Sequence, residues 1–164
     1  MELFDLHHAE KKEGAIYLRS FLLWPKQWKQ FKWEKKIRWK SIEAKKPLVK
    51  TLPDKHGVYL FVITPNVGET SFNGIVAYVG ETTGTQQSLK IRCNKYFLKS
   101  EHNKRPHVGE LMKNWSDNLK LYYTETSASE AKDLEAQFLC ALMPPYNRKF
   151  PGRFNALTKN LYNR

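Results

Sequence analysis

The sequence predicts an α+β fold: a small three-stranded antiparallel sheet flanked by helices, with a basic helical arm in front of it. Two β-branched and aromatic runs, at 58–63 and 75–79, are separated by a turn-rich segment and predict a hairpin. A third alternating run follows at 119–126, and apolar residues at helical spacing lie between and after these strands. The 164 residues, 41% of them hydrophobic, suffice for one compact domain.

The N-terminal part, residues 1–55, is interpreted as a basic, tryptophan-rich arm. Residues 24–46 predict a helix, because Pro25 suits a first helical position and aromatic residues begin a helical stripe there. The tryptophans could stack on nucleic-acid bases, or they could pack the arm against the main domain. Residues 45–56 lack periodicity and predict a connector.

The core is predicted over residues 56–148. Its hairpin has a long tip at 64–74, which is rich in asparagine and glycine. The helices of the core are expected, in order, at 88–99, 107–115 and 127 to about 143. A capping-box sequence beginning at Ser127 starts the last helix, and two consecutive prolines end it. Residues 149–164 are interpreted as a basic tail.

The charge of the chain is strongly positive and unevenly distributed. The formal net charge is +12, and residues 26–50 alone hold ten basic and two acidic side chains. Such a block indicates a polyanionic partner, nucleic acid before an anionic membrane. No apolar run approaches the roughly 20 residues of a membrane helix, and the first residues do not resemble a signal peptide. With only two cysteines, outside any metal-type cluster, a cytoplasmic protein is expected.

Five polar side chains of the core suggest phosphodiester chemistry. Glu135 falls on the apolar stripe of the last helix, where a carboxylate must be paired, protonated or bound to a cation unless it reaches water. Arg92 and Tyr96, four residues apart, share one side of a helix and suit a phosphate. Tyr59 and Tyr78 lie on adjacent strands, and one register puts both rings on one face. An ordinary structural role is open to each of them taken alone.

The order of these residues resembles the GIY-YIG nuclease family over roughly residues 56–148. The motifs that carry the resemblance are Gly57-Val58-Tyr59, Tyr78-Val79-Gly80, Arg92 followed by Tyr96, and the stretch Leu-Glu-Ala-Gln-Phe-Leu-Cys-Ala-Leu-Met-Pro-Pro-Tyr-Asn, which holds Glu135 and ends at Asn147. The resemblance implies the same small antiparallel sheet with helices. Two positions depart or vary: Glu81 stands where members often have a small or basic residue, and some members have histidine in place of Tyr96.

The resemblance also implies a hydrolytic nuclease with one divalent cation per active site, Mg²⁺ or Mn²⁺ in its place. Glu135 would bind the ion, and Arg92 would hold a non-bridging phosphate oxygen. Tyr59 would be the general base, with Tyr96 as the alternative base. Tyr78 and Tyr96 would orient water and phosphate, and Asn147 would fix the active-site backbone or the metal shell.

The position of the motifs within the chain favours a site-specific endonuclease of the restriction type, acting on double-stranded DNA. The alternatives are a structure-specific or mobile-element nuclease and a non-catalytic DNA-binding module. A palindromic target would favour a homodimer. Predicted DNA contacts lie in the arm and in a loop expected at 100–108: Lys29, Lys32, Lys36, Arg38, Lys40, Lys104 and Arg105.

Overall fold

The computed structural model describes residues 11–18, 21–67, 70–71, 74–152 and 154. Parts of the predicted arm and hairpin tip, and most of the predicted tail, lie outside the described residues. The strands are β1 (Lys40–Glu43), β2 (Gly57–Ile63), β3 (Asn66–Val67), β4 (Thr70–Ser71), β5 (Ile75–Thr82) and β6 (Leu119–Glu125). The helices are α1 (11–17), α2 (Pro25–Trp28), α3 (Lys46–Val49), α4 (Leu89–Lys95), α5 (Lys99–Lys104), α6 (Pro106–Asn114) and α7 (Ala128–Leu142).

The main sheet has four antiparallel strands in the order β1-β6-β2-β5. The three predicted strands are confirmed as β2, β5 and β6. The prediction of three strands in total is wrong, because β1 adds a fourth at the edge beside β6. The tip of the β2–β5 hairpin carries the short pair β3 and β4.

The predicted helix over 24–46 is also wrong, since α2 is the only helix in it before β1, and residues 29–39 belong to neither a helix nor a strand. The physical reason is a period of two. The partly buried aromatic and aliphatic side chains between α2 and β1 all stand at odd positions: Phe31, Trp33, Ile37 and Trp39. Alternation of this kind is typical of an extended chain that covers an apolar surface. On a helix, the same residues fall on rotated faces.

The surface that this segment covers is the outer face of α7. The rings of Phe31 and Trp39 contact Phe138, with centroids 4.7 and 5.6 Å apart. Trp33 and Ile37 join the same apolar cluster. Of the two roles open to the aromatic residues, packing is the one seen here, although Trp28 is 43% exposed.

Strand β2 is buried along its whole length because helices cover both faces of the sheet. Its odd residues, Tyr59, Phe61 and Ile63, face a cluster that includes α4 and α6. Its even residues, among them Val58, pack against α7. This alternation gives the sheet two chemically different sides, and the tyrosine side leads to the site described below.

Helix α7 begins and ends as the sequence predicts. The Ser127 hydroxyl accepts from the backbone N–H of Glu130, and the Glu130 carboxylate accepts from the Ser127 N–H. Met143, in the left-handed region at φ 44°, ends the helix before the two prolines.

The prediction of a loop at 100–108 is wrong. Helix α5 occupies its first part, and α6 begins at Pro106. α5 buries none of its residues, so it lacks the apolar periodicity by which a helix is recognised in sequence. Among the described residues, no helix is both long and apolar enough to cross a membrane.

Candidate active site

A groove of about 640 Å³ opens beside the edge strand β5, between α4, α7 and the turn after α7. Four of the six predicted catalytic residues line it: Tyr78, Arg92, Glu135 and Asn147. The other two, Tyr59 and Tyr96, are fully buried directly behind Tyr78. The fold therefore brings together all six residues, although they are spread over about ninety positions of the chain.

The three tyrosines form a chain of hydroxyl contacts. The hydroxyl oxygens of Tyr59 and Tyr96 are 2.5 Å apart, and Tyr96 donates to Tyr78 at 3.3 Å. Arg92 Nε donates to the Tyr59 hydroxyl at 3.3 Å. A continuous polar path thus leads from Tyr78, at the groove, to the buried Tyr59 and to Arg92.

Close packing explains why glycine stands at the first position of Gly57-Val58-Tyr59 and at the last position of Tyr78-Val79-Gly80. Gly80 pairs with Tyr59 across the hairpin, and the Tyr59 ring occupies the space that any side chain at Gly80 would need. A side chain at Gly57 would collide with the carbonyl oxygen of Thr124 on β6. The first and last residues of the motif pair therefore permit the close strand packing that holds Tyr59 in place.

Burial controls the acidity of the inner phenols. It raises the pKa of Tyr59 and of Tyr96 well above the ordinary value of 10. Tyr78 adds to the rise in both, whereas the hydrogen bond between Tyr59 and Tyr96 raises the pKa of Tyr96 and lowers that of Tyr59. The charge of Arg92 acts to lower the pKa of both groups. Without a further positive charge, both phenols are protonated at neutral pH.

Arg92 is held from several sides. Its guanidinium lies 5.3 Å from the centre of the Tyr96 ring, in addition to its contact with Tyr59. Its Nη1 is 4.0 Å from Oε1 of Glu101, which is also 3.1 Å from Nε of Arg105. The side chain of Arg92 is only 15% exposed, so these contacts fix its direction beside the groove.

The charged form of the Glu135 carboxyl group is destabilised by its surroundings. Burial and the nearby carboxylate of Glu81 raise its pKa to about 7, although Arg92 acts to lower it. The group is thus near its midpoint at neutral pH. A cation in the groove would favour its charged form.

Asn147 fixes the backbone of β5. Its amide nitrogen donates to the carbonyl oxygen of Val79 at 2.8 Å, and its amide oxygen accepts from the Val79 N–H at 2.9 Å. The neighbouring Tyr146 N–H donates to the Ala77 carbonyl at 3.0 Å. The turn after α7 is in this way attached to the free edge of β5, which sets the relative positions of Glu135 and Tyr78.

The predicted DNA-contact residues separate into two groups. Arg105 lines the groove. The others are exposed and do not line it. They are Lys104, on α5, and five cations of the N-terminal segment: Lys29, Lys32, Lys36, Arg38 and Lys40. Lys40 also forms an ion pair with Glu125, at 2.9 Å.

Four residues of the groove were missed from sequence: Lys132, His107, Arg148 and Lys149. Three of them are close in sequence to motif residues, since Arg148 and Lys149 directly follow Asn147 and Lys132 lies one turn before Glu135 on α7, but closeness in sequence alone does not distinguish them from other surface cations. Burial and the charges of Arg148 and Arg105 lower the pKa of His107 to about 4, so its ring is neutral at pH 7.

Glu135 and Glu81 are the groups that could hold a metal ion here. No cluster of three or more His, Cys, Asp or Glu side chains occurs within the described part of the chain. Mg²⁺ does not need one, because it keeps several waters and uses one or two carboxylates together with phosphate oxygens. One oxygen of Glu81 is buried without a hydrogen-bond partner, which agrees with a cation as its natural partner.

Comparison with known proteins gives one similarity. UvrABC system protein C of Neisseria meningitidis serogroup B (strain ATCC BAA-335 / MC58) is 34% identical to this chain over 106 residues. The match covers 62% of this chain but only 14% of that protein's length. No protein-family model matches the chain, and no solved structure is significantly similar to it. The similarity supports the resemblance to the GIY-YIG nucleases and does not bear on a restriction-type role.

Proposed function

We propose that this protein is a GIY-YIG-type nuclease that hydrolyses phosphodiester bonds of double-stranded DNA with a divalent cation, Mg²⁺ or Mn²⁺. The observation that carries the proposal is the groove, where a carboxyl group and a phenol lie among five cationic side chains: Arg92, Arg105, Lys132, Arg148 and Lys149. A polyanion is the ligand that such a groove attracts. Hydrolysis of a phosphodiester also develops negative charge on the phosphate, which these cations would stabilise.

Arg92 is the side chain best suited to the scissile phosphate. It is held by Tyr59, Tyr96 and Glu101 before any substrate binds, so little conformational entropy is lost when it contacts an oxygen. Arg105 and Arg148 would contact neighbouring phosphates of the same strand. His107, neutral at pH 7, can accept as well as donate a hydrogen bond, which suits a base edge or a sugar hydroxyl.

Glu135 would hold the divalent cation, and Glu81 stands near it. A bound divalent cation supplies Lewis-acid stabilisation of the charge on the phosphate and on the leaving oxygen. The Glu135 side chain is a hard oxygen ligand at the groove, and its raised pKa marks a group that gains from a nearby positive charge. Asn147 would act through the backbone, because both of its amide atoms are engaged with Val79.

The three tyrosines would act as one unit. Tyr78 would contact water and phosphate at the groove, and its hydroxyl is linked through Tyr96 to Tyr59. Tyr59 is the proposed proton acceptor, because Arg92 donates to its oxygen and favours the charged form. Tyr96 is the alternative. Phenylalanine at each position separates them: the acceptor's variant should lose the rise of the cleavage rate with pH, because that rise reports deprotonation of the general base, and the other variants should keep it with a lower rate.

We also propose a type of target: the protein is a restriction-type endonuclease that cuts at a fixed DNA sequence. Structure-specific or mobile-element nucleases are the alternatives. Genomic DNA fragmented by the protein and sequenced at its ends distinguishes them. Repeated identical ends mean site-specific cleavage, and ends at branches or nicks mean recognition of structure.

The nuclease proposal is tested by cleavage of supercoiled plasmid in Mg²⁺ and in EDTA. Wild-type protein should cut only with the metal, and Glu135→Ala should bind DNA without cutting it. Asp133→Asn, an exposed acid on the same helix, is the matched control and should cut at the wild-type rate. Cleavage by Glu135→Ala at the wild-type rate would overturn the assignment. Binding without cleavage by the wild type in Mg²⁺ and Mn²⁺ would mean a DNA-binding module instead.

A further inference from the structure

Glu81 lies on the side of β5 that faces α7. It directly follows Gly80 and pairs with Val58 across the hairpin. Side chains of a strand alternate between faces, so Glu81 projects from the same face as Val79, two residues earlier. Val79 packs in the apolar cluster formed with α7. Glu81 is therefore directed toward the helix that carries Glu135.

The Glu81 side chain is incompletely compensated by the protein. Its Oε2 is buried and has no hydrogen-bond partner. It forms no ion pair with any lysine or arginine in the part of the chain that the structure describes. A buried carboxylate oxygen in this situation costs free energy unless a donor or a cation stabilises it. The groove nearby holds five cationic side chains, yet none of them contacts this oxygen.

A second carboxyl group is thus directed toward the part of α7 that carries Glu135. Val79, on the same face of β5 as Glu81, packs in one apolar cluster with Leu134, which directly precedes Glu135. Two carboxylates that repel each other in the free protein gain the most from a shared divalent cation, since the ion cancels both the repulsion and the cost of burial. A phosphodiester alone would meet the same pair as a repulsive surface.

We propose that Glu81 is a second ligand of the divalent cation held by Glu135, either directly or through one coordinated water. This inference rests on the proposed function, because it concerns the same groove. It assigns a role to the residue at which the chain departs from the usual pattern after the Tyr-Val-Gly motif. The expected consequence is an affinity for Mg²⁺ and Mn²⁺ in the absence of DNA that one carboxylate alone would not provide.

The test is Mn²⁺ binding to the DNA-free protein, followed by electron paramagnetic resonance of the free ion. Glu81→Gln keeps the shape of the side chain and should weaken Mn²⁺ binding at least fivefold. Glu135→Gln should weaken it tenfold or more, and the double variant little further, because the two ligands act on one ion. Asp133→Asn removes the same charge from an exposed position and should bind Mn²⁺ like the wild type.

The outcomes separate this inference from the proposed function. Unchanged Mn²⁺ binding in Glu81→Gln, with weakened binding in Glu135→Gln, overturns the role of Glu81 alone. Unchanged binding in Glu135→Gln overturns the metal site of the proposed function. As a second measurement, Mn²⁺ should raise the Tm of the wild type more than that of Glu81→Gln, with Glu81→Asp between them. Equal rises in all three proteins would contradict the proposal.

Discussion

The protein has two strongly basic regions, and they use their cations in different ways. In the N-terminal segment, residues 26–50, the cations are neighbours in sequence, and two of them are neutralised by ion pairs, Lys35 with Glu130 and Lys40 with Glu125. In the groove, five cations come from four separate parts of the chain and converge around one carboxyl group. Density of charge along the sequence and convergence of charge in space are therefore different properties.

Helix α7 contains the same contrast in its two glutamates. At its first turn, Glu130 completes the capping box and pairs with Lys35, and the hydrogen bonds from Lys35 and Ser127 hold its pKa at about 2. Little more than one turn later, burial and Glu81 raise the pKa of Glu135 to about 7. The charge of Glu130 is stabilised by hydrogen bonds within the protein, whereas the charge of Glu135 needs a bound cation to stabilise it. We expect the first to matter for stability and the second for function.

The largest effect should come from removing the central cation of the groove. Arg92→Ala should slow cleavage by about 10²- to 10³-fold or more, because a preorganised donor to the developing charge is lost. Arg38→Ala removes the same charge from the N-terminal segment and should change the single-turnover rate less than twofold. A similar loss of rate in both variants would mean that total charge, not its convergence, determines the rate.

The two glutamates of α7 should respond to pH in opposite directions. Because the pKa of Glu135 is raised on folding, its favourable contribution to the free energy of unfolding is fully present below about pH 4.5 and is lost as the pH rises through about 7. Glu135→Gln should therefore stabilise the protein in EDTA at pH 7.5, by roughly 2 kcal/mol and a few degrees in Tm. Because the pKa of Glu130 is lowered, its contribution is present above about 4.5 and is lost toward pH 2.

The check is thermal unfolding of both glutamine variants from pH 3 to 8, compared with the wild type. Glu130→Gln should lower Tm at pH 7 and approach the wild type at low pH. Glu135→Gln should show the reverse dependence. If both variants lower Tm at pH 7.5 in EDTA, Glu135 is stabilised by the folded protein, and its assignment as a site group loses its electrostatic basis.

A smaller effect is expected from Arg148, a groove cation that only the structure identifies. Arg148→Ala should weaken binding of a DNA duplex about five- to tenfold and reduce the slope of log K against log salt by about one. The pKa of His107 should rise at the same time, because Arg148 is one of the charges that lower it. NMR titration of the histidine ring would measure this rise, and an unchanged pKa would contradict the described proximity.

The fold could be predicted from sequence wherever one periodicity dominated. Strands β2 and β5 follow from β-branched and aromatic runs, β6 from alternation, and the start of helix α7 from the capping box. The segment before β1 was misassigned because aromatic residues two apart can be arranged on a helical wheel as a second face. Helix α5 was missed because a polar surface helix has no apolar period.

The candidate site divides along the same line. Its six motif residues could be named from their order, and the structure brings them together. Three of the groove cations, Lys132, Arg148 and Lys149, could not be distinguished from other surface residues, because only tertiary structure determines which charges converge. Glu81 was visible as an unusual residue, but its unpartnered oxygen is a property of packing.

The smallest effect per residue should come from the lysines of the N-terminal segment. Lys29, Lys32 and Lys36 are exposed and do not line the groove. The backbone of this segment is attached to α7, because the Lys32 N–H donates to the Gln137 side chain at 2.8 Å. Lys40 is already paired with Glu125. Neutralising all four should flatten the salt dependence of DNA binding and leave the rate of the bound complex unchanged, because none of them reaches Arg92 or Glu135.

Two comparisons decide what the segment does. A Lys40→Ala variant alone should change the salt slope least of the four, since its charge is partly cancelled by Glu125. If the fourfold variant keeps the wild-type slope, the segment serves only to cover α7, and the whole electrostatic contact with DNA belongs to the groove. If the fourfold variant instead loses cleavage while it still binds, the segment acts on the site itself, and the separation between the two basic regions is wrong.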